Sequence, residues 1–259
     1  MSRYKHASES KQTVRRAIPA GRRVYAIGDI HGQASLLARL LRLVERDTDE
    51  RPVAETEIVF LGDLIDRGAQ SAQVVFLLMQ LAGDPRVTVL LGNHEATMID
   101  VYDGDRESAC DWFAHYGGAA TLASFGSDIA AIDPSDAAGI IAAVRQSVPR
   151  QVIDWLRERP IFYRVGDYYF VHAGIRPGVP LARQQRADLL WIREPFLGST
   201  REYEALVVHG HSIEGPEPTI RENRIGIDTG AYSTGRLTAL GLEGEAIWHL
   251  QTDAPSEIS

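Results

Sequence analysis

The sequence has only one cysteine, Cys110, among its 259 residues. A single cysteine cannot form an internal disulfide, which is typical of proteins in a reducing cytoplasm. No apolar run approaches the roughly 20 residues that a membrane-spanning helix requires. The N-terminal segment MSRYKHASESKQTVRR carries charge but is not followed by the apolar stretch of a secretory signal. These absences predict a globular cytoplasmic protein with no membrane partner.

Positive charge is scarce as well, and it is unevenly distributed. The net charge is −8, yet residues 1–23 hold seven of the 27 basic residues and only one acidic residue, Glu9. The rest of the chain therefore has a net charge of −14, which argues against a nucleic-acid partner. We interpret residues 1–21 as a flexible basic N-terminal arm, either an interaction tail or a solvated lead-in.

Signatures of three catalytic classes are missing. No G-x-x-x-x-G-K-[ST] P-loop occurs. Six residues after Cys110 stands Tyr116, where a cysteine-dependent phosphatase would need an arginine. The segment GAYSTG around Ser233 lacks the glycine that a nucleophile elbow places two residues before its serine. We therefore do not expect a P-loop enzyme or an enzyme with a cysteine or serine nucleophile.

The sequence does contain one pattern that occurs five times, in which an apolar strand-forming run precedes a small residue and then Asp, Asn or His. The runs are 24–27, 58–61, 87–91, 168–171 and 206–208. Helical periodicity at 35–46 and 71–82 separates the first three runs. Such alternation predicts parallel strands whose carboxyl ends, with their polar clusters, share one edge of the sheet. We assign the glycine-rich later strands, such as the hairpin of 236–240 with 246–250, to a second sheet.

The polar residues at the strand ends have the composition of a metal site. Three imidazoles, two carboxylates and one amide oxygen suit Mn, Fe or Zn better than calcium. Two ions would use all of these groups if one carboxylate bridged them, and Asp63 is the candidate because it follows the central strand. We expect two divalent metal ions, Mn²⁺ first, with Fe or Zn as alternatives. The candidate ligands are Asp29, His31, Asp63, Asn93, His172 and His211.

Three motifs carry a family resemblance. GDIHG at 28–32, GDLIDRG at 62–68 and GNHE at 92–95 occur in this order. Together with His172 and His211, they resemble the phosphoprotein phosphatases among the calcineurin-like metallophosphoesterases, over residues 22–240. The resemblance implies an α/β fold, a four-layer α-β-β-α sandwich of two mixed β-sheets flanked by helices. We expect one catalytic domain over 22–259, with 101–160 as a helical cap segment that governs specificity.

The resemblance also implies two ligand sets. Asp29, His31 and Asp63 would bind one ion. The second ion would be bound by Asp63, Asn93, His172 and His211. His209 lies on the same side of an extended chain as His211, so it is the alternative ligand at that position.

The catalytic residues implied by the resemblance lie in the same motifs. A hydroxide that bridges the two metals would attack phosphorus, with His94 as the general acid and Asp66 orienting its ring. Arg67 and Arg193 would bind the phosphate oxygens, together with Asn93 and His94. Arg193 could alternatively be an ordinary surface arginine.

The substrate is the least determined feature. Asp66 and Glu95 resemble protein phosphatases, because symmetrical dinucleoside tetraphosphatases typically have GDLVARG and GNHD. The HAG at 172–174 and IDTGAYSTG at 227–235 resemble the bacterial and phage branch. We therefore expect a phosphatase for phosphoserine and phosphothreonine in proteins, with phosphotyrosine as a further substrate. The alternatives are a diadenosine tetraphosphate hydrolase, another small-molecule phosphoesterase or a non-catalytic phosphate-binding module. The oligomeric state stays open.

Overall fold

The protein is described by a computed structural model that covers residues 16–252. Residues 1–15, which form most of the predicted N-terminal arm, and residues 253–259 lie outside the described part. Ten strands form two five-stranded sheets. They are β1 (Arg22–Ile27), β2 (Glu55–Phe60), β3 (Val87–Val89), β4 (Phe162–Val165), β5 (Tyr168–Val171), β6 (Leu206–His209), β7 (Thr219–Ile220), β8 (Arg224–Gly226), β9 (Thr238–Glu243) and β10 (Ala246–Gln251).

Both sheets are mixed. The first has the order β10-β9-β1-β2-β3, in which β1, β2 and β3 are parallel and β9 and β10 are antiparallel. The second has the order β4-β5-β6-β8-β7, with β5, β6 and β8 parallel. The helical crossovers after β1 and β2 explain the parallel pairing of the first sheet, because parallel neighbours need a long connection.

The period-2 alternation of the strands produces the sandwich. Val24 and Ala26 of β1 pack between the sheets, against residues such as Phe170 and Val208 of the second sheet. Tyr25 and Ile27, which alternate with Val24 and Ala26 along the strand, face the helices instead. Since successive side chains of a strand point to opposite faces, one strand contributes to two layers of core.

Helices cover the outer face of each sheet. Residues 101–160 hold the end of the helix Asn93–Asp103, four further α-helices and short π and 3₁₀ helices, all on the side of the first sheet. The helix Arg186–Trp191 packs on the outer face of the second sheet. The helices are α1 (Ala34–Glu50), α2 (Ser71–Leu81), α3 (Asn93–Asp103), α4 (Arg106–Asp111), α5 (Gly118–Ser124), α6 (Ala137–Ser147), α7 (Arg150–Arg157), α8 (Arg186–Trp191) and α9 (Ala231–Thr234).

The α/β fold with two mixed sheets flanked by helices confirms the predicted fold class. The assignment of the 236–240 hairpin to the second sheet is wrong. Strand β9 pairs with β1 and extends the first sheet, and its Leu240 and Leu242 face the interior of the sandwich. The local pattern predicts the hairpin, but the free edge of β1 decides which sheet it joins. Among the described helices, none is long and apolar enough to cross a bilayer.

Candidate metal centre

The polar clusters of both sheets meet at one place. Asp29 and His31 follow β1, Asp63 follows β2 and Asn93 follows β3, while His172 and His211 follow β5 and β6 of the second sheet. The contacts described below join all six, and five of them are buried, with His211 partly buried. Parallel strands place their carboxyl ends at a common edge, and the sandwich brings the two edges together.

Asp63 lies between two groups of imidazoles. Its Oδ2 is 3.6 Å from His31 Nε2 and 3.7 Å from His94 Nε2. Its Oδ1 is 3.3 Å from His172 Nε2. Two sets of side chains could each hold a metal ion, namely His31, Asp63 and His94, and Asp63, His172 and His211. Asp63 is the member that the two sets share, one oxygen facing each side.

Asn93 completes the second set. Its side-chain oxygen lies 2.7 Å from His172 Nε2 and 2.9 Å from His211 Nδ1. An amide oxygen adds a ligand without adding negative charge. The second group therefore offers two imidazoles, one carboxylate and one amide, a mixture that suits a transition metal.

Asp29 lies beside these sets rather than within either of them. Its carboxylate accepts the backbone N–H of His211, at 3.2 Å to Oδ1 and 3.0 Å to Oδ2. Burial, together with the charges of Asp228 and Asp63, raises the pKa of Asp29 well above its usual value. Asp228, in the IDTG segment, is a buried carboxylate outside the predicted ligand set.

The electrostatics of the site fit a cation. Burial lowers the pKa of His31 to about 3, and burial with the nearby His172 lowers that of His211 to about 3. Both rings are thus neutral near pH 7, which is the form of histidine that binds metals. Buried carboxylates close to one another are costly unless a positive charge compensates them. The donor set and its charge therefore fit divalent metal ions.

The backbone at the site is unusual. Five non-glycine residues in the described chain have a positive φ, and all five are predicted site residues: His31 (46°), Asp63 (50°), Asp66 (70°), Arg67 (66°) and His211 (64°). Such conformations cost of the order of 1–3 kcal/mol each and persist where the surroundings impose them. Close packing imposes them here: a Cβ at Gly92 would lie 2.2 Å from the Asp63 nitrogen.

Glu95 holds the backbone that carries Asp63. Its two carboxylate oxygens accept N–H groups from Gly92, Asp63, Leu64 and Ile65, at 2.8–3.2 Å. From the sequence, Glu95 is notable only as a difference between related families. Its position three residues after Gly92, the N-cap of α3, is the capping-box spacing that could have revealed this role.

His94 and Asp66 form a buried pair. His94 Nδ1 lies 2.7 Å from Asp66 Oδ2. Trp112 Nε1 donates to the same oxygen at 2.9 Å, and the Thr121 hydroxyl donates to Oδ1 at 2.6 Å. Burial alone would lower the pKa of His94, but Asp63 and the hydrogen bond with Asp66 outweigh it and raise the pKa to about 9. Trp112 and Thr121 carry no sequence signal for this contact.

The two predicted phosphate-binding arginines are both exposed. Arg67 Nη2 lies 3.3 Å from His94 Nε2. The Arg193 side chain has no hydrogen-bond or ion-pair partner among residues 16–252, and its charge adds to the effect of burial in lowering the pKa of His172 and His211. Both guanidinium groups therefore border the imidazole cluster and are accessible to an anion.

His209 has a different environment from His211. Its Nε2 lies 3.2 Å from Arg224 Nη1, and its ring packs edge-on against Phe196. Arg224 is buried and forms an ion pair with Glu214. His209 thus contacts the residues behind the site, whereas His211 contacts Asn93 in the cluster.

A two-sheet sandwich with a buried His/Asp cluster at its strand ends is the architecture of the dinuclear metal-dependent phosphoesterases, which hydrolyse phosphoric esters. Calcineurin-like phosphoesterases match residues 22–232, and the chain belongs to this family.

Within this family, the chain is similar to several individual proteins. The chain is 27% identical over 225 residues to a symmetrical bis(5′-nucleosyl)-tetraphosphatase of Methylococcus capsulatus, across 84% of this chain and 64% of the relative. It is 31% identical over 153 residues to an enzyme of the same name from Dechloromonas aromatica, across 59% of this chain and 44% of the relative. The matches thus span less than two thirds of each relative. The crystal structure of a protein provisionally described as a diadenosine tetraphosphatase superposes with a TM-score of 0.64 at 23% identity, over 91% of this chain and 96% of that one.

Proposed function

We propose that this protein hydrolyses dinucleoside tetraphosphates at the central phosphoanhydride bond. The observation that carries the proposal is the similarity to a symmetrical tetraphosphatase over 84% of the chain. Water would add to one central phosphorus and the bridging oxygen would leave with the other half. Diadenosine tetraphosphate and one water would thus give two molecules of ADP.

The proposed metal ligands are the two groups around Asp63, with Asp29 in place of His94 in the first group and Asn93 added to the second. Asp29, His31 and Asp63 would hold one ion, and Asp63, Asn93, His172 and His211 the other, with Mn²⁺ as the first choice. When bound, the two ions would supply an activated water nucleophile and neutralise phosphate charge. The shared position of Asp63, with one oxygen facing each group, supports its role as the bridge.

The remaining chemistry belongs to side chains of the chain. Arg67 and Arg193 would bind the non-bridging phosphate oxygens by charge-assisted hydrogen bonds, joined by Asn93. His94 would give its proton to the departing oxygen, and Asp66 would hold the ring by accepting from Nδ1. Because Asp66 also accepts from Trp112 and Thr121, it is fixed as an acceptor.

The Asp66–His94 pair supports a second candidate, a phosphatase for phosphoserine and phosphothreonine, or phosphotyrosine, in proteins. A terminal phosphate has a pKa of about 6, so a nucleoside diphosphate can depart without a proton. A serine alkoxide is far more basic and needs a general acid to leave. A buried acid with a dedicated carboxylate is therefore of most use for a phosphomonoester of an alcohol.

The two candidates differ in their preferred substrate. We would compare kcat/KM, with added Mn²⁺, for diadenosine tetraphosphate, a phosphoserine peptide and a phosphotyrosine peptide, using Asp63→Asn as the blank. Our proposal expects the highest value for the dinucleotide and ADP as the sole nucleotide product. A preference for either peptide would replace it with the protein-phosphatase function, and release of ATP and AMP would contradict symmetrical cleavage. No turnover of any of the three would favour a phosphate-binding module.

A further inference from the structure

Three aromatic side chains surround the mouth of the metal centre. Trp191 is 42% exposed and Tyr232 is 39% exposed, and Tyr116 is partly buried. Single exposed aromatic residues are common on protein surfaces, but each of these three packs against an imidazole of the site. We call Tyr116, Trp191 and Tyr232 the aromatic rim.

Trp191 stands beside the second ligand group. It is the last residue of α8, and its ring centroid lies 6.4 Å from that of His211, with the planes at 83°. The preceding Leu189 and Leu190 are buried and hold the helix against the protein, while the indole of Trp191 stays exposed. The exposed indole surface is thus held beside the ligands and is available to a substrate.

Tyr116 links Trp191 to the proposed general acid. Its ring centroid lies 6.4 Å from Trp191 and 5.8 Å from His94. Tyr116 ends the π-helix Trp112–Tyr116, whose first residue donates to Asp66. A π-helical turn is often found at functional sites. Here it places Trp112 against Asp66 and Tyr116 against His94.

Tyr232 stands beside the other ligand group. Its ring centroid lies 5.4 Å from His31, and Arg67 Cζ lies 4.5 Å from the ring centroid. The short helix α9 that carries it begins after Gly230 and ends before Gly235, both with positive φ (70° and 71°). The aromatic rim therefore has one ring near His31 and two near His211 and His94.

We propose that the aromatic rim binds the nucleobases of a nucleoside polyphosphate by stacking. This proposal rests on the proposed function and names what the site recognises beyond phosphate. A phosphate chain bound by Arg67 and Arg193 would project a flat ring at each end, and the rim offers aromatic surface on two sides of the cluster. Stacking on aromatic side chains accepts any base, since every base has a π-face.

Binding, rather than turnover, tests the rim separately from the proposed reaction. We would measure Kd by calorimetry in the presence of Mn²⁺ for ADP and for pyrophosphate, which has two phosphates but no ring. The wild-type protein should bind ADP more tightly by about 5- to 150-fold, the range that stacking of one base supplies. Trp191→Ala or Tyr232→Ala should remove most of that ratio, and Trp191→Phe should keep it.

Phe76→Ala is the matched control, because Phe76 is 50% exposed on α2 and packs on Phe125 rather than on the site. It should leave the ADP-to-pyrophosphate ratio unchanged, and circular dichroism would verify that each variant is folded.

Equal affinity of the wild-type protein for ADP and pyrophosphate would overturn the proposal, as would an unchanged ratio in both alanine variants. The same calorimetry would be run with phosphotyrosine and phosphoserine. Tighter binding of phosphotyrosine than of phosphoserine, without tighter binding of ADP than of pyrophosphate, would reassign the rim to a phosphotyrosine ring. If only the proposed function is wrong, the protein should not hydrolyse diadenosine tetraphosphate but should still bind ADP more tightly than pyrophosphate.

Discussion

At the scale of single residues, His94 stands between the metal centre and the Asp66 carboxylate. Its Nε2 faces Asp63, and its Nδ1 contacts Asp66 at 2.7 Å. The protein's own charges raise the pKa of His94 to about 9, so the ring carries its proton near neutral pH. This arrangement suits a general acid, but His94 also lies close enough to Asp63 and His31 to be a metal ligand. Substitution distinguishes the two roles.

We expect His94→Asn to lower kcat by about 10²–10⁴-fold on a phosphoserine peptide, the usual contribution of a general acid. The loss should be much smaller on p-nitrophenyl phosphate, because p-nitrophenolate departs without a proton. Metal content, measured by mass spectrometry, should stay at the wild-type level. His249→Asn is the control, because His249 is an exposed histidine on β10. Equal losses on both substrates together with lost metal would make His94 a ligand instead.

The contact from Trp112 to Asp66 allows a finer test of the same pair. Trp112→Phe keeps a ring in a fully buried position but removes the N–H that donates to Asp66. We expect kcat on the phosphoserine peptide to fall about tenfold, equivalent to about 1.4 kcal/mol, with little change in KM. Trp155→Phe on α7 is the matched control, since that indole contacts Arg159. A change in KM alone would show that Trp112 does not act through the acid.

At the scale of elements, the start of α3 is tied to the loop after β2. Four backbone N–H groups at the two segments converge on Glu95, so one side chain sets the spacing between Asp63 and Asn93. Burial and the charge of Asp63 raise the pKa of Glu95 above its usual value, while His94 and the N–H donors oppose this and favour the carboxylate. The helix and the loop therefore form one unit that presents ligands of both metal groups.

We expect Glu95→Gln to destabilise this unit, because the amide nitrogen cannot accept the N–H groups that one carboxylate oxygen accepts. Each Glu95 oxygen accepts two N–H groups, and a buried donor without a partner costs about 1–3 kcal/mol, so the free energy of unfolding should fall by about 2–6 kcal/mol. Urea denaturation would measure it, with Glu107→Gln on the exposed side of α4 as the control. A stability equal to wild type would mean that these contacts do not constrain the loop.

At the scale of the whole molecule, the ligands come from both sheets, so bound metal would join the two halves of the sandwich. Adding Mn²⁺ at 100 times its Kd should raise the free energy of unfolding by about 2.7 kcal/mol per site, and chelation should reverse this. A thermal melt followed by circular dichroism would show the shift in Tm. Asp63→Asn should show little shift and little bound metal, and a variant that still holds two equivalents would refute Asp63 as the bridge.

Features that lie within a short segment of the sequence could be predicted, whereas features formed by residues far apart in the chain could not. The motifs 28–32, 62–68 and 92–95 each follow an apolar strand and combine a glycine with polar residues. The sequence alone therefore indicated the fold class and the cluster around Asp63. Parallel strands have to place those ends together, which is why local patterns sufficed. The residue types in the cluster likewise indicated divalent metals.

Only the tertiary structure decided which distant residues complete the site. Trp112 and Thr121 reach Asp66 from 46 and 55 residues away, and Asp228 acts on Asp29 from the far end of the chain. The hairpin of β9 and β10 likewise joined the first sheet, against expectation. No local period encodes such contacts, because they depend on how helices and sheet edges pack. The exposure and placement of the aromatic rim have the same origin: the ends of α8, α9 and the π-helix meet only in the folded molecule.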